Sequence, residues 1–176
     1  LPCYDLASGR RNSSCTGYRL PTAAEWIRAA AQISQQQIRE TANLGVPSTK
    51  SSAVFEAPLQ QGTAHVRSKK ANELGVFDLF GNVWEWCEDF FDPVASPSSV
   101  KDPSGPVTGV ARVIRGGSFV SSTSRWSRDY RSSLSPDAMS RFTGFRIARS
   151  TGTKSLNAMV SDAFFRPYNQ APKGLE

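Results

Sequence analysis

Hydrophobic and polar positions along the chain alternate in short stretches, and only one segment carries a sustained helical period. Thr22 followed three residues later by Glu25 is a capping box, with Pro21 just ahead and AAEWIRAAAQISQQQ behind it. Trp26, Ala30 and Ile33 fall on one face of that run, so the pattern predicts an amphipathic helix from Thr22 to about Gln36, packed on a sheet. From Ala42 to Ala71 the chain is rich in Ser, Thr, Gln, Gly and Pro, with apolar pieces such as AVFEAPL long enough only for brief strands. A loop of that length in a compact domain is functional or tied down, for instance by an ion.

Pattern returns at Gly75, where glycine turns alternate with Val76, Phe77, Leu79 and Phe80 before VWEWC reads as a strand. A Pro/Ser/Gly loop occupies Asp92 to Gly109. A β-branched strand follows over Ala111 to Arg115 and ends in the Gly116 Gly117 turn. Phe119 to Arg131 alternates weakly, with Val120, Trp126 and Tyr130 among Ser, Thr and Arg, and the last strand is expected over Thr143 to Ala148. Short strands, one long helix and many loops predict an α+β architecture. The domain is expected over residues 1–150. Residues 151–176 form a tail in which Leu156, Met159, Val160 and Phe164 are spaced as the stripe of a short helix.

Hydrophobic residues make up 39% of the 176 and charged residues 20%, the profile of a globular, loop-rich protein. No run approaches the eighteen or so apolar residues of a membrane span, and no secretion-signal pattern opens the sequence. The net charge of +6 raises a nucleic-acid reading, which its distribution argues against. Residues 1–110 carry ten basic and eleven acidic side chains, whereas residues 111–149 carry eight Arg, no Lys, and only Asp129 and Asp137. Arg without Lys points to planar hydrogen bonding to loop carbonyls, carboxylates and aromatic faces rather than to a phosphate-binding run. Cys3 and Cys15 flank a short polar segment and are a disulfide if the protein is exported or two free thiols if it is not. Cys87, inside an aromatic strand, reads as a small buried hydrophobe. His65 is the only histidine and reads as incidental.

Four blocks, GYRLPTAAEW (Gly17 to Trp26), GNVWEWCEDFF (Gly81 to Phe91), VIRGGSF (Val113 to Phe119) and GFRIAR (Gly144 to Arg149), follow one another in order. Together they resemble the formylglycine-generating-enzyme/sulfatase-modifying-factor family, a variant of the C-type-lectin fold. The resemblance covers residues 2–149. What the family has ahead of GYRLPT is missing, so the resemblance implies either an N-terminal fragment that completes the fold or a sequence cut short ahead of Leu1.

The resemblance also implies a copper(I) ion held by two cysteines shortly after the GGS turn, and the matching positions here are Ser121 and Trp126. A hydroxyl and an indole cannot replace soft thiolate ligands, so no copper is expected. It implies a structural calcium in the segment DLFGN, with Asp78, the Phe80 carbonyl and Asn82 as oxygens, and half of another site at Asn43 and the Leu44 carbonyl. Simple turn capping by Asp78 and Asn82 is the plainer alternative. Glu85 and Asp89 share one strand face and Glu88 points away, so this acidic group is expected at the surface or pairing with Arg. Arg115 and Arg146 match structural arginines of the family.

In the family, the region after the GGS turn is the open face where client peptides dock. Here it presents Ser121, Ser122, Thr123, Arg125, Trp126, Arg128, Tyr130 and Ser132, a mixture of aromatic anchors and adaptable hydroxyls suited to a protein or peptide ligand. The composition is also similar to that of the variable proteins of diversity-generating retroelements. The expectation is therefore a catalytically inactive recognition or display module; the charge distribution argues against a nucleic-acid partner, and a paired Cys3 and Cys15 would favour a cell surface, periplasm or virion over cytoplasm. The alternatives are a client-modifying oxidase or related oxygenase, and a scaffold domain of a larger protein.

Overall fold

The computed structural model describes residues 3–5, 11–12, 14–31, 33–34, 37–38, 41–42, 62–94, 103–122 and 125–149. The tail beyond residue 149, the AVFEAPL segment, Asn43, Leu44 and Thr123 lie outside the described residues. The chain divides into two compact units, Thr22–Phe145 and the pairing of Leu1–Pro21 with Arg146–Glu176.

In the larger unit, helix α1 (Ala23–Ala29) begins with both bonds of the predicted capping box: Glu25 N–H donates to Thr22 Oγ1, and Thr22 N–H donates to Glu25 Oε2. The helix ends well short of Gln36. Ala30 is the C-cap, at φ −92° and ψ 1°, and its N–H reaches back to the Trp26 and Ile27 carbonyls, which closes the last turn. The cause is a second capping box that the sequence contains. Ser34 Oγ accepts from Gln37 N–H and Gln37 Oε1 accepts from Ser34 N–H, after which Ile38 and Ala42 make helical bonds to Ser34 and Ile38. The periodic run is therefore two helical starts rather than one helix.

Strands β2 (Trp84–Phe90), β3 (Arg112–Arg115), β4 (Ser132–Leu134) and β5 (Thr143–Gly144) form a sheet in the order β4-β3-β2-β5. β3 runs antiparallel to both β2 and β4, whereas β5 is parallel to β2. The register along β2 and β3 slips between Trp86 and Phe90, a bulge. Helix α1 lies against β2 and β3. Among the described residues of Phe119 to Arg131 no strand forms. That segment is instead held by hydrogen bonds to its own neighbours and to Arg115, and pairing resumes only at Ser132.

The core between helix and sheet is apolar with a polar seam. Trp26 is fully buried, meets Phe80 edge-on at 5.5 Å, and donates its indole N–H to Glu85 Oε2 at 2.6 Å. Glu85 and Asp89 are therefore interior groups, which corrects the surface expectation. The strand alternation does put them on one face, as read from sequence, but that face is covered by the helix. Asp89 Oδ2 accepts from Ala23 N–H at 2.7 Å, placing a carboxylate at the start of α1 where the backbone has orphan donors. Cys87, between them, is fully buried and takes no part in a disulfide.

The smaller unit pairs β1 (Tyr18–Arg19) antiparallel with β6 (Ala148–Arg149). The final predicted strand is thus split, with Thr143–Gly144 in one sheet and Ala148–Arg149 in another. Cys3 and Cys15 are joined in a disulfide, and Asn12 N–H donates to the Cys3 carbonyl across the same loop. Among the described residues no helix is long and apolar enough to cross a membrane.

Candidate functional site

The Gly116 Gly117 turn at the end of β3 is where fold and site meet. Both glycines have positive φ, +90° and +75°. A Cβ on Gly116 would stand 2.6 Å from the Leu79 carbonyl oxygen, and one on Gly117 would stand 2.9 Å from Trp126 Cδ1. Only glycine allows both the left-handed backbone and these approaches. The turn is stitched to the preceding loop, because Gly81 N–H donates to the Gly116 carbonyl and Phe119 N–H to the Asn82 carbonyl.

After the turn the chain folds on itself through serine. Ser121 Oγ accepts from Ser118 N–H at 2.9 Å and lies 3.2 Å from Ser118 Oγ, while Ser121 N–H donates to the Ser118 carbonyl. Arg125 N–H donates to the Ser122 carbonyl. From beneath, Arg115 Nη1 donates to the carbonyls of Arg128 and Tyr130. Burial lowers the Arg115 pKa from its ordinary value, opposed by the nearby Cys87 and Asp89, so its guanidinium is an interior clamp.

Arginines elsewhere in the region take the planar roles expected of them. Arg112 donates to the Glu88 carbonyl and stacks 3.7 Å from the Phe90 ring centroid. Arg131 donates to the Asp92 carbonyl and lies over Phe91 at 4.9 Å, and Arg141 lies over Phe142 at 4.8 Å.

These contacts shape an open pocket of about 400 Å³, lined by Trp84, Ser118, Val120, Ser121, Ser122, Arg125 and Phe142. Three of the residues singled out from sequence, Ser121, Ser122 and Arg125, come together there. Trp84, Ser118, Val120 and Phe142 were missed. Ser118 was legible from its place beside the glycine turn; Trp84 and Phe142 were not, since β2 and the approach to β5 meet only through sheet pairing.

Trp126 corrects the picture of a surface anchor. It is 6% exposed, its indole edge lies under Gly117, and among the described residues its Nε1 has no hydrogen-bond partner. The missing Cβ of Gly117 draws the ring inward, where it supports the turn. Arg128 is exposed and paired with Asp129 at 3.1 Å, Tyr130 packs against Trp84 at 6.0 Å, and half-buried Ser132 belongs to β4 opposite Ile114. None of these three lines the pocket. Among the described residues the pocket lining includes no Cys, His or Met, and the Cys87 thiol is buried in the core.

At the candidate calcium loop, Asp78 and Asn82 are both non-glycine residues with positive φ, +56° and +58°. Asp78 Oδ2 accepts from Arg67 N–H at 2.6 Å, and the Asn82 amide exchanges bonds with the Ala64 backbone, accepting at 3.0 Å and donating at 3.3 Å. Both side chains thus tether the 64–67 loop. Phe80 directs its ring into the core. No group of three or more His, Cys, Asp or Glu converges among the described residues.

The family model described as Sulfatase-modifying factor enzyme 1-like domain matches residues 5–151. The chain is similar to the formylglycine-generating enzyme of Streptomyces coelicolor, 44% identical over 100 residues, covering 54% of this chain and 32% of that protein. The corresponding enzyme of Thermomonospora curvata is 36% identical over 149 residues, covering 75% and 49%. Among solved structures, Treponema denticola variable protein 1 superposes with a TM-score of 0.65 at 29% identity, covering 84% of this chain and 54% of that one. The chain therefore spans about half or less of the length of these relatives. The α+β fold, with its helix and small curled sheets, is of this C-type-lectin-like type.

Proposed function

Because the chain belongs to the Sulfatase-modifying factor enzyme 1-like domain family, we propose that it is a non-catalytic recognition module whose ligand face is the pocket beside the glycine turn. The observation that carries this reading is Ser121. At the position where the family resemblance calls for a copper-holding thiolate stands a hydroxyl already committed to Ser118, with Trp126 turned under the turn instead of offering a second sulfur. What is left is an open concavity mixing hydroxyls, one guanidinium and aromatic edges, the make-up of an adaptable protein or peptide site. The likeness to a variable protein supports the display version of this reading, in which residues after Gly117 differ between sister copies. A structural calcium at Asp78, the Phe80 carbonyl and Asn82 belongs to the same proposal. It would reinforce the loop tether that these side chains already make and would supply no chemistry to the pocket.

The test sets recognition against oxidation. Incubated with copper(I), reductant, oxygen and a cysteine-containing client peptide, the protein is expected to leave the thiol intact. A displayed peptide library is expected to yield binders that are lost on Ser122→Glu or Arg125→Glu. Thiol oxidation that requires Ser121 or Trp126 would overturn the reading in favour of an oxidase.

A further inference from the structure

Resting on that recognition reading, we propose that the pocket takes a carboxylate carried by a peptide beside an apolar side chain. The argument begins with protons. Ser118 and Ser121 bring two hydroxyl protons to one mutual contact at 3.2 Å, and Ser121 Oγ already accepts from Ser118 N–H. Whichever hydroxyl donates to the other, one O–H is left over. Both residues are more than nine-tenths buried, at 1% and 9% exposure, and both line the pocket. A buried donor needs an acceptor, and the pocket is where one can enter.

Charge specifies the acceptor. Arg125 is exposed at the pocket, and among the described residues no acceptor sits on its guanidinium, whereas neighbouring Arg128 is paired with Asp129. Among the described residues no acidic side chain lines the pocket, so a ligand meets the positive charge of Arg125 together with hydroxyl donors. A planar guanidinium fits a carboxylate in a two-pronged pair. A single cation also balances a monoanion better than a phosphate group, which carries about −1.5 to −2 at neutral pH. Trp84, Val120 and Phe142 complete the lining with apolar surface, suited to the residue next to the acid.

The test uses fluorescein-labelled peptides alike except at two adjacent positions, which read Phe-Glu, Phe-Gln, Ala-Glu, Ala-Gln or Phe-phosphoserine. By fluorescence anisotropy the protein is expected to bind Phe-Glu best and to lose affinity by about tenfold with Phe-Gln. The exposed-site variant Arg125→Gln is expected to keep the wild-type melting curve and to bind Phe-Glu and Phe-Gln equally. Equal binding of the two peptides by wild type, a preference that survives in Arg125→Gln, or tighter binding of the phosphoserine peptide would each overturn the ligand class while leaving recognition standing. Absence of binding to every peptide, together with copper-dependent thiol oxidation, would overturn both.

Discussion

Gly117→Ala tests the coupling between backbone turn and pocket floor. Two separate costs arise. The residue sits at φ +75°, where an L side chain is worse than glycine by about 1–2 kcal/mol, offset by about 0.4–1 kcal/mol of reduced unfolded-state freedom. The new Cβ would also stand 2.9 Å from Trp126 Cδ1, 3.1 Å from Nε1 and 3.4 Å from Ser121 Cβ. Overpacking against a buried ring adds about 1–3 kcal/mol, so the total is about 1–5 kcal/mol. Trp126→Val separates the two costs, because it removes the colliding ring atoms and leaves the backbone angle unchanged. In that background Gly117→Ala should cost only about 1 kcal/mol, giving a coupling of about 1–3 kcal/mol in a double-mutant cycle. Urea unfolding of the four proteins, with m held common if the slopes agree, measures it. Equal destabilisation in both backgrounds would refute the claim that Trp126 is held beneath the turn by the missing Cβ.

Three further outcomes follow from the interior. Burial raises the Asp89 pKa above 3.8, despite the opposing Ala23 N–H and Arg115, so the folded state holds its proton to higher pH than the unfolded chain does. Its contribution to stability is therefore largest on the acid side and falls as pH rises through the folded value; melting temperatures of wild type minus Asp89→Asn should decline with pH above 3.8, and a rise would contradict the assignment. Ellman titration without reductant is expected to find one thiol, Cys87, reactive only after denaturation, and three would remove the Cys3–Cys15 disulfide. Asp78→Ala should cost about 0.5–1.5 kcal/mol by removing the bond to the exposed Arg67 amide; calcium should raise the melting temperature of wild type and not of the variant, and an equal response in both would dismiss the ion at that turn.

Local chemistry was readable from the chain alone. The Thr22 and Glu25 capping box forms as written because its partners are three residues apart, and the Ser34 and Gln37 repetition that ends the first helix was equally legible, though overridden by a longer apolar stripe. Arginine roles were legible too, since a guanidinium without lysine neighbours seeks carbonyls and rings whatever the fold. What only the tertiary structure decided is depth. Glu85 and Asp89 share a face by strand period, but that the face is interior depends on α1 lying across it. Likewise Ser121, Ser122 and Arg125 were nominated from one segment, while Trp84 and Phe142 complete the pocket through sheet pairing between residues about sixty positions apart. Trp126 could be named an anchor from composition. Its burial follows from a Cβ absent nine residues earlier, and contacts of that kind have no period for a sequence to display.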